Sequence, residues 1–273
     1  MTGVPKISVR DLTMRYGDTL VLERISIDVP EGAFCTLVGA SGCGKSTFLR
    51  LLLSQERPSG GVIEMDGAPL PEEPTPDRGI VFQKYSVLPH LSVEDNLILA
   101  AEFERAPVTG RLFAGSRRTP GRTLRKSLNA SAWRLRASVI RRNCPVACSS
   151  ALAIAQALLK RPTVLLLDEP FGALDPGIRI DMHEILQELW REMSMTVFMV
   201  THDIQEAFKL GTRLLVFDKV RHDPHAPEAY GATITYDIPL DRNQKPQPPA
   251  SLEELAGAAQ SLRNLLEDTP HDG

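Results

Sequence analysis

The stretch Gly39-Ala40-Ser41-Gly42-Cys43-Gly44-Lys45-Ser46-Thr47 fits the pattern G-x-x-x-x-G-K-[ST], with Gly39, Gly44, Lys45 and Ser46 at its fixed positions. Ala33 to Val38, just before it, is an apolar run that predicts a buried strand, and Phe48 to Leu53, just after it, predicts a helix. That context suits a polyphosphate. Glycines let backbone N–H groups converge on an anion, and the helix N-terminus adds its partial positive charge. Lys45 is placed to reach β- and γ-phosphates, and the Ser46 hydroxyl to ligate Mg²⁺. Ser41, Gly42, Cys43 and Thr47 complete the expected phosphate-contacting loop. A dinucleotide-binding fingerprint fits less well, because Gly42-x-Gly44 lacks its third glycine.

Working outward, the 273 residues suffice for one large α/β domain with an appendage or for two small domains. A net charge of −3 with 42% hydrophobic residues argues against a nucleic-acid binder. No apolar run reaches the roughly 18 residues of a membrane span, and Met1 to Lys6 lacks a signal-peptide core. Cys35, Cys43, Cys144 and Cys148 form no C-x-x-C pair, a usage that suits a reducing cytosol. Cys43 reads as a small residue at a variable loop position rather than an oxidisable site.

Towards the N-terminus, Ile7 to Leu12 alternates like an edge strand. Met14 to Asp18 then reads as a turn and Leu20 to Val29 as a second strand. Tyr16 beside a Gly-Asp turn is equally a purine-stacking aromatic or a partly buried structural one. Val62 to Asp66 reads as a short strand turning at Asp66-Gly67, Pro69 to Pro76 as a loop, and Leu91 to Glu104 as a helix. Gly79 to Phe82 reads as a strand ending at Gln83, where an amide lines a ligand site if the sheet is doubly wound.

Towards the C-terminus, Ser150 to Lys160 predicts a helix closed by Pro162. Thr163 to Leu167 is an apolar strand that ends in Asp168 and Glu169. Two carboxylates there are costly unless something cationic sits beside them, and a Mg²⁺ on bound phosphates meets that need. Asp168 is the natural metal ligand, and Glu169 faces the attacking water. Gly172 to Pro176 reads as a turn, Ile178 to Met193 as a helix, and Met195 to Thr201 as a strand ending at His202. Ile204 to Leu210 follows as a helix and Arg213 to Asp218 as a strand. Alternating strands and helices predict a mostly parallel sheet. Beyond it lie a linker with His222 and His225, a strand over Gly231 to Leu240, and a helix over Ser251 to Glu267.

These motifs together resemble the ATP-binding subunits of ABC transporters, from about Ile7 to Asp218. Gly39 to Thr47 is similar to the family's Walker A motif, Gln83 to its Q-loop and Leu165 to Glu169 to its Walker B with glutamate. Ala173-Leu174-Asp175 is similar to the D-loop, and Thr201-His202-Asp203 to the H-loop. Tyr16 stands where the adenine-stacking aromatic lies. Asp168 to Pro176 resembles importers of the nitrate, sulfonate and taurine type. Phe217 to Pro224 is similar to a branch associated with urea and guanidine use.

The resemblance implies an α/β P-loop NTPase with a RecA-like, mostly parallel sheet. It further implies an N-terminal antiparallel β subdomain, a helical subdomain inserted over about 91–155, and a C-terminal extension over 221–273. ATP and Mg²⁺ are the implied cofactors. Two copies sandwich two ATP molecules and drive separate transmembrane permease subunits from the cytoplasmic face of the inner membrane, with a periplasmic or lipid-anchored solute-binding protein. By the resemblance, Glu169, His202 and Gln83 are the residues expected to carry the catalysis. Ser46, Gln83 and Asp168 hold the metal, and Asp175 lies near the nucleotide. A repair-type P-loop ATPase and an ATP-binding protein without turnover are the alternatives.

One part of the pattern is missing. The family's L-S-G-G-M-Q-Q-R signature belongs just before Ala153, where Asn143-Cys144-Pro145-Val146-Ala147-Cys148-Ser149-Ser150-Ala151 stands. From Arg105 to Leu167 there is no Asp or Glu at all, while arginines abound. Permitted codons for Asn143 to Ala151, read with the last base of Arg142, spell Q-L-S-G-G-M-Q-Q-R. A shifted frame over about 116–151 therefore explains both the lost signature and the missing acids better than a basic patch does.

Overall fold

The computed structural model describes residues 4–82, 96, 145–158, 160–221 and 229–240. They fall into two compact units, one of Met1–Glu73 with Phe198–Gly273 and one of Pro74–Val197.

In the first unit, β1 (Ile7–Tyr16) and β2 (Thr19–Val29) pair as an antiparallel hairpin around Gly17-Asp18. β4 (Gly60–Met65) pairs with the other side of β1 and with the short β5 (Ala68–Pro69), so the order is β2-β1-β4-β5. β1 is thus interior rather than the edge strand its alternation suggests. It also runs through Met14, Arg15 and Tyr16, which the sequence assigns to a turn. The reason is a bulge. Val9 and Leu12 are both buried, although three residues apart, and a period of two cannot place both inside. Asp11, at φ 47, supplies the extra residue, and the pairing with both neighbours shifts register there. Asp66 and Gly67 both take positive φ, as a tight two-residue hairpin requires.

The same unit contains β3 (Phe34–Gly39), which pairs in parallel with β9 (Arg213–Asp218). β10 (Thr233–Pro239) adds to β9 antiparallel. α1 (Lys45–Leu52) follows β3 and buries Phe48 against Phe198 and Phe217, with ring centroids 6.3 and 5.4 Å away. α4 (Ile204–Leu210) covers the predicted range, with the Asp203 carboxylate accepting from the N–H groups of Gln205 and Glu206. The C-terminal strand is fastened by charge as well as pairing. Arg213 makes a two-pronged ion pair with Asp237, while Ile238 and Leu240 pack on Val38, Ala207, Leu214 and Val216.

In the second unit, β6 (Arg78–Val81) pairs in parallel with β7 (Val164–Asp168). α2 is described over Pro145–Leu158. α3 (Pro176–Met193) starts two residues earlier than the apolar periodicity suggests, because Pro176 fits the first turn and Asp175 is the extended residue before it. β8 (Thr196–Val200) is buried throughout and carries the chain back to the first unit. Among the described residues, no helix is long and apolar enough to cross a membrane. Most of the predicted Leu91–Glu104 helix, the acid-free stretch before 145 and the predicted C-terminal helix lie outside the described residues, although Asn96 is helical and buried.

Candidate functional site

The glycine loop joins β3 to α1, and backbone geometry dictates its glycines. Gly39 has φ 147, and a Cβ there would stand 2.1 Å from the carbonyl oxygen of Phe217. Gly44, the residue before α1, has φ 87, and its Cβ would meet Leu22 Cδ2 at 2.5 Å. Phe48 N–H donates to Gly44 O at 2.8 Å as the first helical bond, so the N–H groups of Lys45 to Thr47 precede the ladder. Lys45 is buried and lies across the loop, with Nζ donating to the carbonyls of Gly39 and Ala40, both at 2.7 Å. Ser41 and Gly42 form the exposed crown, Ser46 is half-buried and Thr47 is buried. Cys43 lies inside the loop, 3.5 Å from Lys45 Nζ, and burial pushes its thiol pKa up despite that cation.

Two more candidates belong to the same unit. Tyr16 ends β1 with 43% of its surface exposed, and its hydroxyl donates to Glu56. Burial, then Glu56, raises its pKa, while Thr47 and Arg50 of α1 act in the opposite sense. Glu56 also accepts from Arg50 of α1 at 3.4 Å, so the Tyr16 hydroxyl is linked through it to the helix that the glycine loop begins. His202 is exposed just beyond β8. Thr201 N–H donates to Leu37 O at 3.1 Å, two residues before Gly39, so His202 emerges at the loop's end of β3.

In the second unit, Val164 to Leu167 are fully buried, and Asp168 and Glu169 are half-buried at the strand's end. Glu169 takes φ 49, a conformation that costs a side-chain-bearing residue about 1–2 kcal/mol. Its carbonyl accepts from Gly172 N–H at 3.3 Å, which turns the chain sharply. Phe171 is buried edge-on against His183 of α3, with centroids 5.1 Å apart. Asp175 is exposed, and its carbonyl accepts the first α3 bond, from Arg179, at 2.9 Å. Gln83 lies outside the described residues.

The structure adds residues that the sequence does not single out. Ser150, buried on α2, donates from its hydroxyl to the Pro170 carbonyl beside the acidic pair. It lies within the stretch read as out of frame, where no motif points to it. Thr201 and Glu206 are buried together, with the hydroxyl donating to the carboxylate. A buried glutamate in an otherwise apolar helix face is a signal only once burial is known.

Comparisons with known proteins agree with one another. The ABC transporter family description matches residues 22–172. An aliphatic sulfonates import ATP-binding protein, SsuB 1, of Rhizobium johnstonii is 37% identical over 79% of this chain and 74% of its own. An ATP-binding protein of Brucella abortus is 35% identical over 88% of this chain and 86% of its own. Among solved structures, a bacterial ABC transporter cassette in dimeric form superposes with a TM-score of 0.65 at 23% identity, covering 86% of this chain and 99% of that one. CbiO1 of Clostridium perfringens, part of an ABC transporter complex, gives 0.66 at 22% identity, covering 97% and 96%. These two show the shared fold.

Proposed function

This chain belongs to the ABC transporter family, and from that premise we propose that it is the ATP-binding, ATP-hydrolysing subunit of a bacterial importer for a small solute. The glycine loop carries the reading. Its fixed positive-φ glycines, its buried lysine and the start of α1 together make a polyphosphate cradle. Lys45 neutralises the β- and γ-phosphates, and Ser41 to Thr47 surround them. Tyr16 stacks on the adenine.

Ser46, Gln83 and Asp168 are proposed to hold Mg²⁺, and their hard oxygen donors suit it. When bound, the ion neutralises phosphate charge and orients the γ-phosphate. Glu169 orients and polarises the attacking water as general base. His202 contacts the γ-phosphate, and Asp175 borders the nucleotide of the second copy. Partners are that second copy, transmembrane permease subunits and a solute-binding protein, with the chain at the cytoplasmic face of the inner membrane. The sulfonate-import relatives support a nitrate-, sulfonate- or taurine-like solute, with a urea-related one as the alternative.

The segment Asn143 to Ala151 favours one second reading, an ATP-binding chain with little turnover. A signature loop puts preorganised donors on the partner's γ-phosphate, and losing one such donor costs about 10²–10³ in rate. We ascribe the segment to a shifted frame. The test is ATP hydrolysis, with the permease subunits present, by three versions of the chain. One is as written, one has Q-L-S-G-G-M-Q-Q-R at 143–151, and one has the upstream frame restored too. Activity is expected to rise in that order. Full activity in the chain as written would sink the frame argument, and none in the fully restored chain would sink the ATPase reading.

A further inference from the structure

We propose that Thr201 and Glu206 are positioning residues that hold His202 for its γ-phosphate contact, an inference that rests on the reading of His202 given above. Thr201 is 3% exposed and Glu206 6% exposed. The Thr201 hydroxyl has one proton and two lone pairs. It donates the proton to the Glu206 carboxylate. It accepts from the Asp203 N–H at 3.0 Å. The carboxylate thereby fixes the hydroxyl rotor in the orientation that leaves a lone pair for Asp203.

His202 is bracketed as a result. On one side, Thr201 N–H is tied to Leu37 O of β3 at 3.1 Å, two residues ahead of the glycine loop. On the other, Asp203 N–H is tied to the Thr201 side chain. The helix that bears Glu206 is itself referenced to β3, since Thr36 Oγ1 donates to Ala207 O at 3.3 Å. His202 therefore keeps its backbone place relative to the strand that launches the phosphate loop.

The Asp203 side chain already caps α4, accepting from Gln205 N–H at 2.9 Å and Glu206 N–H at 3.1 Å. Burying a carboxylate is costly, and here it receives the one proton that orients the Thr201 hydroxyl. The apolar-shaped substitute, Thr201→Val, keeps the volume and removes both side-chain bonds at once.

The test follows His202 directly as well as turnover. Protein labelled with ¹³C-histidine is titrated with MgATP, and the His202 signal is identified by its loss in His202→Gln. In the parent, MgATP binds and shifts that signal. Thr201→Val and Glu206→Leu are expected to bind MgATP within about twofold of the parent, because the phosphate loop is untouched, yet to lose or broaden the His202 response. In the signature-restored chain their kcat should fall about 10- to 100-fold with KM little changed, the scale of a displaced reacting group. Thr201→Ser and Glu206→Gln keep the hydrogen-bond pair and should recover most of both.

A parent-like His202 response and kcat in Thr201→Val overturns the proposal. So does joint loss of MgATP binding and helix signal, which marks a merely structural pair. A parent that does not bind MgATP overturns the nucleotide reading instead, and with it the basis for this one.

Discussion

Two turns leave the end of a buried parallel strand and enter a helix, and they are built from opposite materials. The turn from β3 to α1 uses Gly39 at φ 147, Gly42 at φ 76 and Gly44 at φ 87. The turn from β7 to α3 has its positive φ on a glutamate, Glu169, at 49, and a proline opens the helix. The first gathers N–H donors and a lysine, and so suits an anion. The second presents carboxylates and so suits a cation and water. In the glycine turn the unusual backbone angles carry no steric penalty. In the acidic turn one falls on a residue that resists it, and such outliers cluster where a side chain must be aimed.

The comparison breaks most sharply at the acidic turn. In the chain with the signature restored, Glu169→Gln should lower ATP hydrolysis by about 10²–10⁴, the range for removing a general base, with MgATP still bound. Parent-rate turnover would show that the carboxylate is not the base.

The glycine turn should fail in graded fashion. Gly39→Ala drives a methyl onto the Phe217 carbonyl at 2.1 Å, a backbone atom that cannot swing away. It should cost about 3 kcal/mol or more by denaturant unfolding. Gly44→Ala meets the end of the Leu22 side chain at 2.5 Å and should cost less. Gly42→Ala meets nothing within 4 Å and should cost only the strain of positive φ, about 1–2 kcal/mol. Equal losses at all three would mean that conformational strain alone, and not the close approach of β9 and β2, fixes the loop.

Lys45→Ala should weaken MgATP by about 2 kcal/mol in calorimetry, through loss of a charge-assisted phosphate contact. It should also loosen the loop, because Nζ bonds to Gly39 and Ala40. Unchanged affinity would remove the lysine from the site.

The smallest effect has the opposite sign. Glu169→Gly relieves the left-handed conformation and should raise stability by about 0.5–1 kcal/mol, while hydrolysis is lost. A stability decrease would mean that the Glu169 side chain contributes more than its backbone angle costs.

Much of this was legible beforehand because it is local. The glycine loop, β3, α4 and the acidic end of β7 each lie within a few consecutive residues. Their chemistry is carried by residue type and spacing. Other features escaped because the signal is non-local. β1 reads as an edge strand until β4 is found paired on its other side, with Asp11 taking up the odd residue between the buried Val9 and Leu12. The strand near the C-terminus reads as an extension, yet Arg213 and Asp237 tie it to β9 and Ala232 N–H bonds to Val21 at 2.9 Å. Ser150 looks like debris of a lost motif, yet its hydroxyl meets the Pro170 carbonyl.

The sequence by itself therefore determined the residue types of the two turns, the strand and helix that flank the phosphate loop, the strand that ends in the acidic pair, and the family. Only the tertiary structure decided which side of β1 is covered, where the strand over Thr233–Pro239 adds, and that the Thr201 hydroxyl meets the Glu206 carboxylate. The physical reason is range. Turn geometry, capping and charge at a strand's end are settled between near neighbours. Register, edge pairing and the partner of a buried carboxylate are settled by which surfaces must leave water together, and those surfaces meet from distant parts of the chain.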